Sequence, residues 1–353
     1  MRTKSKFITG MLALALLSAC SNDEKNEAVS NGERASITVT LKGENLSTRA
    51  TGSTSDTEVD ERKIVNYKVY VFSYNSGVLE KEADGTVSDG VAKATVIDEL
   101  STAGTKRVVI VANLPADFPA INNYADFETE TFDLGLQNPA KRETTGLVMS
   151  GESPELTLTS GNPVPVSVSI KRVVAKIELG SVTINPEAGH TEPFILTHVS
   201  IQKAKSKATV GPVTVLSEMP FYGGFAGTES SIPTPDNYLL NTITTDQPDG
   251  TAKSFDNFFY VFPNEETGAE TLLTISGTYK GTVTHFPFRI NNIASGTTDG
   301  TLIKRNTRYI LNVTLKKLGS GTTDPDIPGD PAAVEVTVTT EGWEGPLVQD
   351  VEW

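Results

Sequence analysis

Apolar and polar residues alternate along most of this chain with a period of two, and no stretch keeps an apolar period of 3.6 over three helical turns. Ile37, Val39 and Leu41 share one face of a first predicted strand, with Ser36, Thr38 and Thr40 on the other. Val65, Tyr67, Val69 and Val71 share one face of a second, which turns at Asn75-Ser76-Gly77. Residues 106–112 contain the unbroken β-branched run Val108-Val109-Ile110-Val111, the pattern of a strand covered on both faces. Residues 115–142 are the least strand-like and are where short helices are expected.

From residue 163 the alternation is strong again, and its parity changes. Val164, Val166, Val168 and Ile170 occupy even positions, whereas Val173, Ala175, Ile177 and Leu179 occupy odd ones. Strand side chains alternate strictly, so the switch around Lys171-Arg172 requires a bulge, or a strand that leaves one core and enters another. A domain boundary is placed there. Later strands are expected over residues 197–202 and 258–262, in a hairpin over 272–290 turning near Lys280-Gly281, and with Tyr309, Leu311, Val313 and Leu315 on one face. The chain therefore reads as all-β, with two β-sandwich domains in tandem, residues 50–170 and 171–318.

Two segments interrupt this scheme. Residues 47–62 have no apolar period and read as an exposed linker. Residues 319–331 are rich in glycine and proline, which oppose both ladder and helix. Beyond them Val334, Val336 and Val338 alternate with Glu335, Thr337 and Thr339, and the chain ends through Leu347, Gln349, Val351 and Trp353. A tethered strand with an apolar face needs a partner. The first and last strands have the same chemistry, so each suits the same kind of hydrophobic groove. Arg49 lies in the first linker, within reach of a protease, and a cut between Arg49 and Ala50 would detach residues 20–49. The vacated groove would then accept the C-terminal strand of another copy. Arg34 precedes the first strand, so a cut there would not release it. Arg62 is an alternative site, and a solvated linker arginine is the plain reading of Arg49.

Composition narrows the function. Thirty basic residues against 44 acidic ones give a formal charge of -14, which opposes nucleic-acid binding. One cysteine excludes an intrachain disulfide or a Cys-rich metal site, and His190, His198 and His285 offer little for zinc or His-based catalysis. Residues 324–335 echo a calcium loop, but Pro328 supplies no side-chain oxygen and no helices flank it. The chain has no G-x-S-x-G, H-E-x-x-H or P-loop. No enzyme activity, metal or cofactor is expected. Aromatic groups at Phe255, Phe258, Phe259, Tyr260 and Phe262 and at Phe221, Tyr222 and Phe225 read as core, or as a glycan platform.

At the N-terminus Arg2, Lys4 and Lys6 precede an apolar stretch over residues 7–17 that is short for a membrane span. It closes on Leu17-Ser18-Ala19-Cys20, which resembles the lipobox of bacterial lipoproteins. Residues 1–19 would be a signal peptide, and Cys20 the first residue of a lipidated propeptide over 20–49. An ordinary secretory signal with an accidental cysteine is the alternative. Asp23 and Glu24 resemble the surface-export signal of Bacteroidota lipoproteins.

Taken together these features resemble the FimA-like major fimbrillins of Bacteroidales, the shaft subunits of type V pili. The resemblance is carried by Cys20, by Arg49, and by the segment Ile170-Lys171-Arg172-Val173-Val174-Ala175-Lys176-Ile177. It extends through Phe259-Tyr260-Val261-Phe262-Pro263-Asn264, Arg305-Asn306-Thr307-Arg308-Tyr309-Ile310-Leu311, and Val334-Glu335-Val336-Thr337-Val338 followed by Trp343. It implies transthyretin-like sandwiches and an outer-membrane lipoprotein precursor that loses its first strand to an arginine-specific protease. It also implies donor-strand exchange into an extracellular adhesive fimbria whose partners are further copies, an anchor subunit and a tip subunit. Residues 319–353 would be linker and donor strand. The alternative from another class is a monomeric, surface-anchored, glycan-binding β-sandwich lipoprotein that keeps its first strand.

Overall fold

The computed structural model describes residues 33–43, 61–88, 91–137, 144–185, 188–189, 194–211, 221–222, 239–247, 253–254, 257–265, 270–290, 303–321 and 334–342. Its longer strands are β1 (Arg34–Gly43), β2 (Tyr67–Ser73), β3 (Leu79–Asp84), β4 (Thr95–Ser101), β5 (Thr105–Ala112), β6 (Met149–Glu152), β7 (Val164–Arg172) and β8 (Ala175–Ile184). They continue with β9 (Phe194–Gln202), β10 (Leu240–Gln247), β11 (Phe258–Val261), β12 (Leu272–Tyr279), β13 (Thr282–Arg289), β14 (Thr307–Leu315) and β15 (Val334–Gly342). One short helix, α1 (Asp126–Thr129), and a 3-10 turn at Leu134–Gln137 fall in the stretch expected to be least strand-like.

An eight-stranded sheet runs β3-β2-β5-β6-β7-β1-β4, with Leu156–Thr157 paired onto β5. Its inner face encloses a core of Ile37, Val39, Leu41, Val69, Ile97, Val108, Ile110, Val168 and Ile170. The other face of β2 and β5 is covered too, because Tyr70, Phe72, Val109 and Val111 join a second core. There Phe127 of α1 meets Tyr70 and Phe72 edge-on, at centroid distances of 5.1 and 5.8 Å. Both strands are thus buried on both sides. Val65 lies ahead of β2 and is 38% exposed, so it does not share the face that alternation assigned to it.

The rest of the second core lies between two further sheets. A five-stranded sheet contains β8, β14 and β15 in that order, with Lys253–Ser254 and β11 paired to β8. A four-stranded sheet runs β10-β9-β12-β13. Ile177, Leu179 and Val182 from β8 and Tyr309, Leu311 and Val313 from β14 meet Leu196, Val199, Leu273 and Ile275. This is β-sandwich architecture, with layers formed by alternation on each strand.

The parity switch is resolved by a change of sheet. Lys171 and Arg172 end β7, and after Val173 and Val174 the chain enters β8 in the five-stranded sheet. The β12–β13 turn lies where expected: Lys280 and Gly281 have φ of 51° and 75°, the left-handed pair that a two-residue type I′ hairpin needs. Both linker readings need correction at one end. Glu61 is fully buried instead of lying in an exposed linker. Gly319-Ser320 is not free of the ladder, because Ser320 forms a β-bridge with His285.

Candidate functional site

The strand at the head of the described chain lies inside a sheet. β1 runs parallel to β7, from Ile37↔Val164 to Gly43↔Ile170, and antiparallel to β4, with Ile37↔Ile97 and Val39↔Thr95 among its pairs. Both of its backbone edges are therefore used. Ala35, Ile37, Val39 and Leu41 are at most 2% exposed and pack with Ile97 and Leu100 from β4 and Val166, Val168 and Ile170 from β7. β-Branched residues suit the pleat, and the intervening Ser36, Thr38 and Thr40 are half-buried. Burial of Ile37, Val39 and Leu41 contributes at most roughly 5 to 9 kcal/mol.

Removing β1 would leave β4 and β7 facing each other across two strand spacings, about 9.5 Å, with unpaired backbone on both walls. That is a slot one strand wide, lined by apolar side chains. The outer attachments of β1 are slight: Arg34 donates to the Glu99 carbonyl at 3.2 Å and lies 3.8 Å from its carboxylate, with both side chains exposed. A surface pair of this kind contributes little.

After residues 44–60, the next described residue, Glu61, stands in a buried polar junction. The Glu61 carboxylate lies 2.8 Å from Lys176 Nζ and accepts from the Tyr260 hydroxyl at 2.6 Å. Its main-chain carbonyl accepts from Arg172 Nε at 2.8 Å. Glu178 bridges Lys176 to Arg308, and Asn306 Oδ1 accepts from Arg172 N and Nη1. Arg305 is half-buried as a residue, but carbonyls of Ser150, Lys171, Arg172 and Gly211 enclose its guanidinium. Desolvation there pushes its pKa down to about 10, so it is still a cation at neutral pH. The junction ties β6, β7 and β8 to the turn before β14.

The last described strand, β15, pairs antiparallel with β14 from Thr307↔Gly342 to Leu315↔Val334, at the edge of its sheet. The partner that the tail's alternation calls for is found within the same chain. An antiparallel pair needs only two to five connecting residues, yet residues 316–333 number 18. The first of them cross to the opposite sheet. Gly319 N donates to Thr284 Oγ1 at 2.8 Å, and the main chains of Ser320 and His285 exchange two hydrogen bonds of 2.8 Å. A Cβ at Gly319 would stand 2.2 Å from the His285 oxygen, so the chain passes there only because it has none.

Residues 35–191, from β1 past β8, match the family model described as major fimbrial subunit protein (FimA). Over this stretch, a little under half of its length, the chain resembles the FimA family. Over 100% of both chains, this FimA-like protein is 24% identical to the major fimbrium subunit FimA type-2 of Porphyromonas gingivalis. A crystal structure of a Bacteroides eggerthii protein proposed to act in cell adhesion is 25% identical, superposes with a TM-score of 0.64, and covers 90% of this chain and 98% of its own. The Porphyromonas gingivalis W83 fimbrilin structure gives the same TM-score at 15% identity, covering 91% of this chain and 100% of its own, and shares the fold.

Of the residues singled out from sequence, Ile37, Val39 and Leu41 are brought together in the slot between β4 and β7. Val334, Val336 and Val338 pair through their main chains with Leu315, Val313 and Leu311. Cys20, Arg49, Ala50, Leu347, Val351 and Trp353 lie outside the described residues. Among the aromatic residues, Phe259, Tyr260 and Phe262 are core. No cluster of metal-ligating side chains occurs among the described residues, and no described helix is long and apolar enough to cross a membrane. Sequence reasoning missed Glu61 and its partners. The run Asp60-Glu61-Arg62-Lys63 looks solvated, and nothing local marks one member as buried.

Proposed function

We propose that this FimA-like chain is a shaft subunit exported as a lipoprotein through Cys20, cut between Arg49 and Ala50, and polymerised by donor-strand exchange. The observation that carries this reading is the place of β1. A strand at the head of the chain, joined onward only through residues 44–60, fills the interior of a sheet and buries Ile37, Val39 and Leu41. One cut in that connection makes β1 a separate peptide, and its loss opens a slot with two ladder edges. β15 supplies a candidate donor: nine residues against ten for β1, the same alternation, and one sheet neighbour among the described residues. Residues 321–333, beyond the contact at Ser320, number 13 and span up to about 45 Å when extended, enough to reach a neighbouring subunit. In the filament, Val334, Val336 and Val338, with Leu347, Val351 and Trp353 beyond them, would take the place of Ile37, Val39 and Leu41. Partners are further copies of this chain, with an anchor and a tip subunit at the ends and an arginine-specific protease acting first.

The test is Arg49→Ala in the full chain, read by N-terminal sequencing and electron microscopy. The wild type is expected to begin at Ala50 and form fibres. The variant is expected to remain a folded monomer that keeps β1. Fibres of normal length from the variant would defeat the reading.

A further inference from the structure

Glu61 stands where the connection from β1 rejoins the folded chain, and it has no exposed surface. A carboxylate is seldom buried unless paired. Its partners come from three strands, Arg172 of β7, Lys176 of β8 and Tyr260 of β11. The next residues are fixed as well. The Lys63 carbonyl accepts from Asn113 Nδ2 at 2.9 Å, Val65 N donates to Asn113 Oδ1 at 2.8 Å, and Ile64 is fully buried. The Arg62–Lys63 peptide bond therefore lies between two hydrogen-bonded carbonyls and between two buried side chains.

A protease draws several residues on each side of the scissile bond into an extended conformation in its cleft. At Arg62 this requires the contacts of Glu61, Lys63 and Ile64 to open first. Between Gly43 and Glu61 the sequence holds one arginine, Arg49, and no lysine. A cut at Arg62 would also remove Glu61 and leave Lys176, 4% exposed at its side chain, with Glu178 as its carboxylate partner in the junction.

We infer that Glu61 is a positioning residue that latches the chain just beyond the processing segment, confining the arginine cut to Arg49 and holding the new N-terminal stretch on the junction once β1 has gone. The inference rests on the proposed cleavage before polymerisation. It closes the alternative at Arg62 that sequence alone leaves open. It also assigns the buried charges at the β7–β8 passage to the processing step.

The test uses the purified full chain and an arginine-specific endopeptidase, with products followed over time by N-terminal sequencing. The wild type is expected to give a product starting at Ala50, with a start at Lys63 at least about 100-fold slower, as local opening against several buried hydrogen bonds implies. Tyr260→Phe removes one hydrogen bond and keeps the ring, and is expected to speed the Arg62 cut about tenfold. Glu61→Ala is expected to speed it further, while cuts after Arg107 and Arg289 stay at the wild-type rate. Three results would each overturn the inference: wild-type cleavage at Arg62 as fast as at Arg49, unchanged patterns in both variants, or cuts at Arg107 and Arg289 rising in step with Arg62. Polymer is not needed for the readout. A processed chain from Ala50 that never polymerises defeats the proposed function and leaves the latch standing, whereas fibres with an unprotected Arg62 defeat the latch alone.

Discussion

Val39 has no exposed surface and belongs to a strand that the proposed cut removes, so one substitution there has different consequences before and after processing. Val39→Asp places a carboxylate among the apolar side chains of Ile97, Val166 and Val168, and a buried unpaired charge costs far more than the valine contributes. The precursor is expected to lose at least about 3 kcal/mol, the range reserved for such defects. The chain from Ala50 lacks residue 39, so its melting temperature is expected to match that of wild-type processed chain. Thermal unfolding of both forms checks this. A drop in both would mean that the severed strand stays seated in the slot. The apolar face of β1 was legible because its alternation is local and Ile37 and Val39 are β-branched. Glu61 was not, because its burial depends on Arg172, Lys176 and Tyr260, all more than 100 residues further along the chain.

At the scale of elements, the turn at Lys280-Gly281, the short helix near Phe127 and the passage from β7 to β8 could all be read in advance. Each is written in neighbouring residues, as a turn pair, a lapse in alternation or a change of parity. The parallel placement of β1 against β7 could not, since strands some 130 residues apart carry no local signal for register or order. The docking of β15 on β14 was likewise hidden, because the glycine and proline between them describe a flexible connection and are silent on where it returns. That docking changes what truncation should do. Ending the chain at residue 333 strips the ladder from the edge of β14, so the truncated monomer is expected to melt lower than the full chain by several degrees, a loss of about 1 to 3 kcal/mol. It is still expected to fold, because Tyr309, Leu311 and Val313 keep their partners in the second core. It is expected to form no fibres. Calorimetry with microscopy tests both halves, and fibres from the truncated chain would remove β15 from the role of donor.

The whole molecule is strongly acidic, and the proposed processing would make it more so. Residues 1–19 carry +3 and residues 20–49 carry -1, so the proposed cut after Arg49 would turn a chain at -14 into a subunit at -16. Two such subunits would repel as they approach, while the proposed joining event is insertion of an apolar strand into an apolar slot. Screening acts on the first of these and hardly on the second. The Debye length falls from about 30 Å at 0.01 M salt to about 8 Å at 0.15 M, which removes most repulsion between exposed charges. Elongation of processed subunits onto preformed fibres is therefore expected to accelerate several-fold over that range and then to level off. Light scattering at fixed subunit concentration measures it. Elongation that slows as salt is added would show that complementary charges at the subunit contact, and not the strand and slot, set the rate of joining.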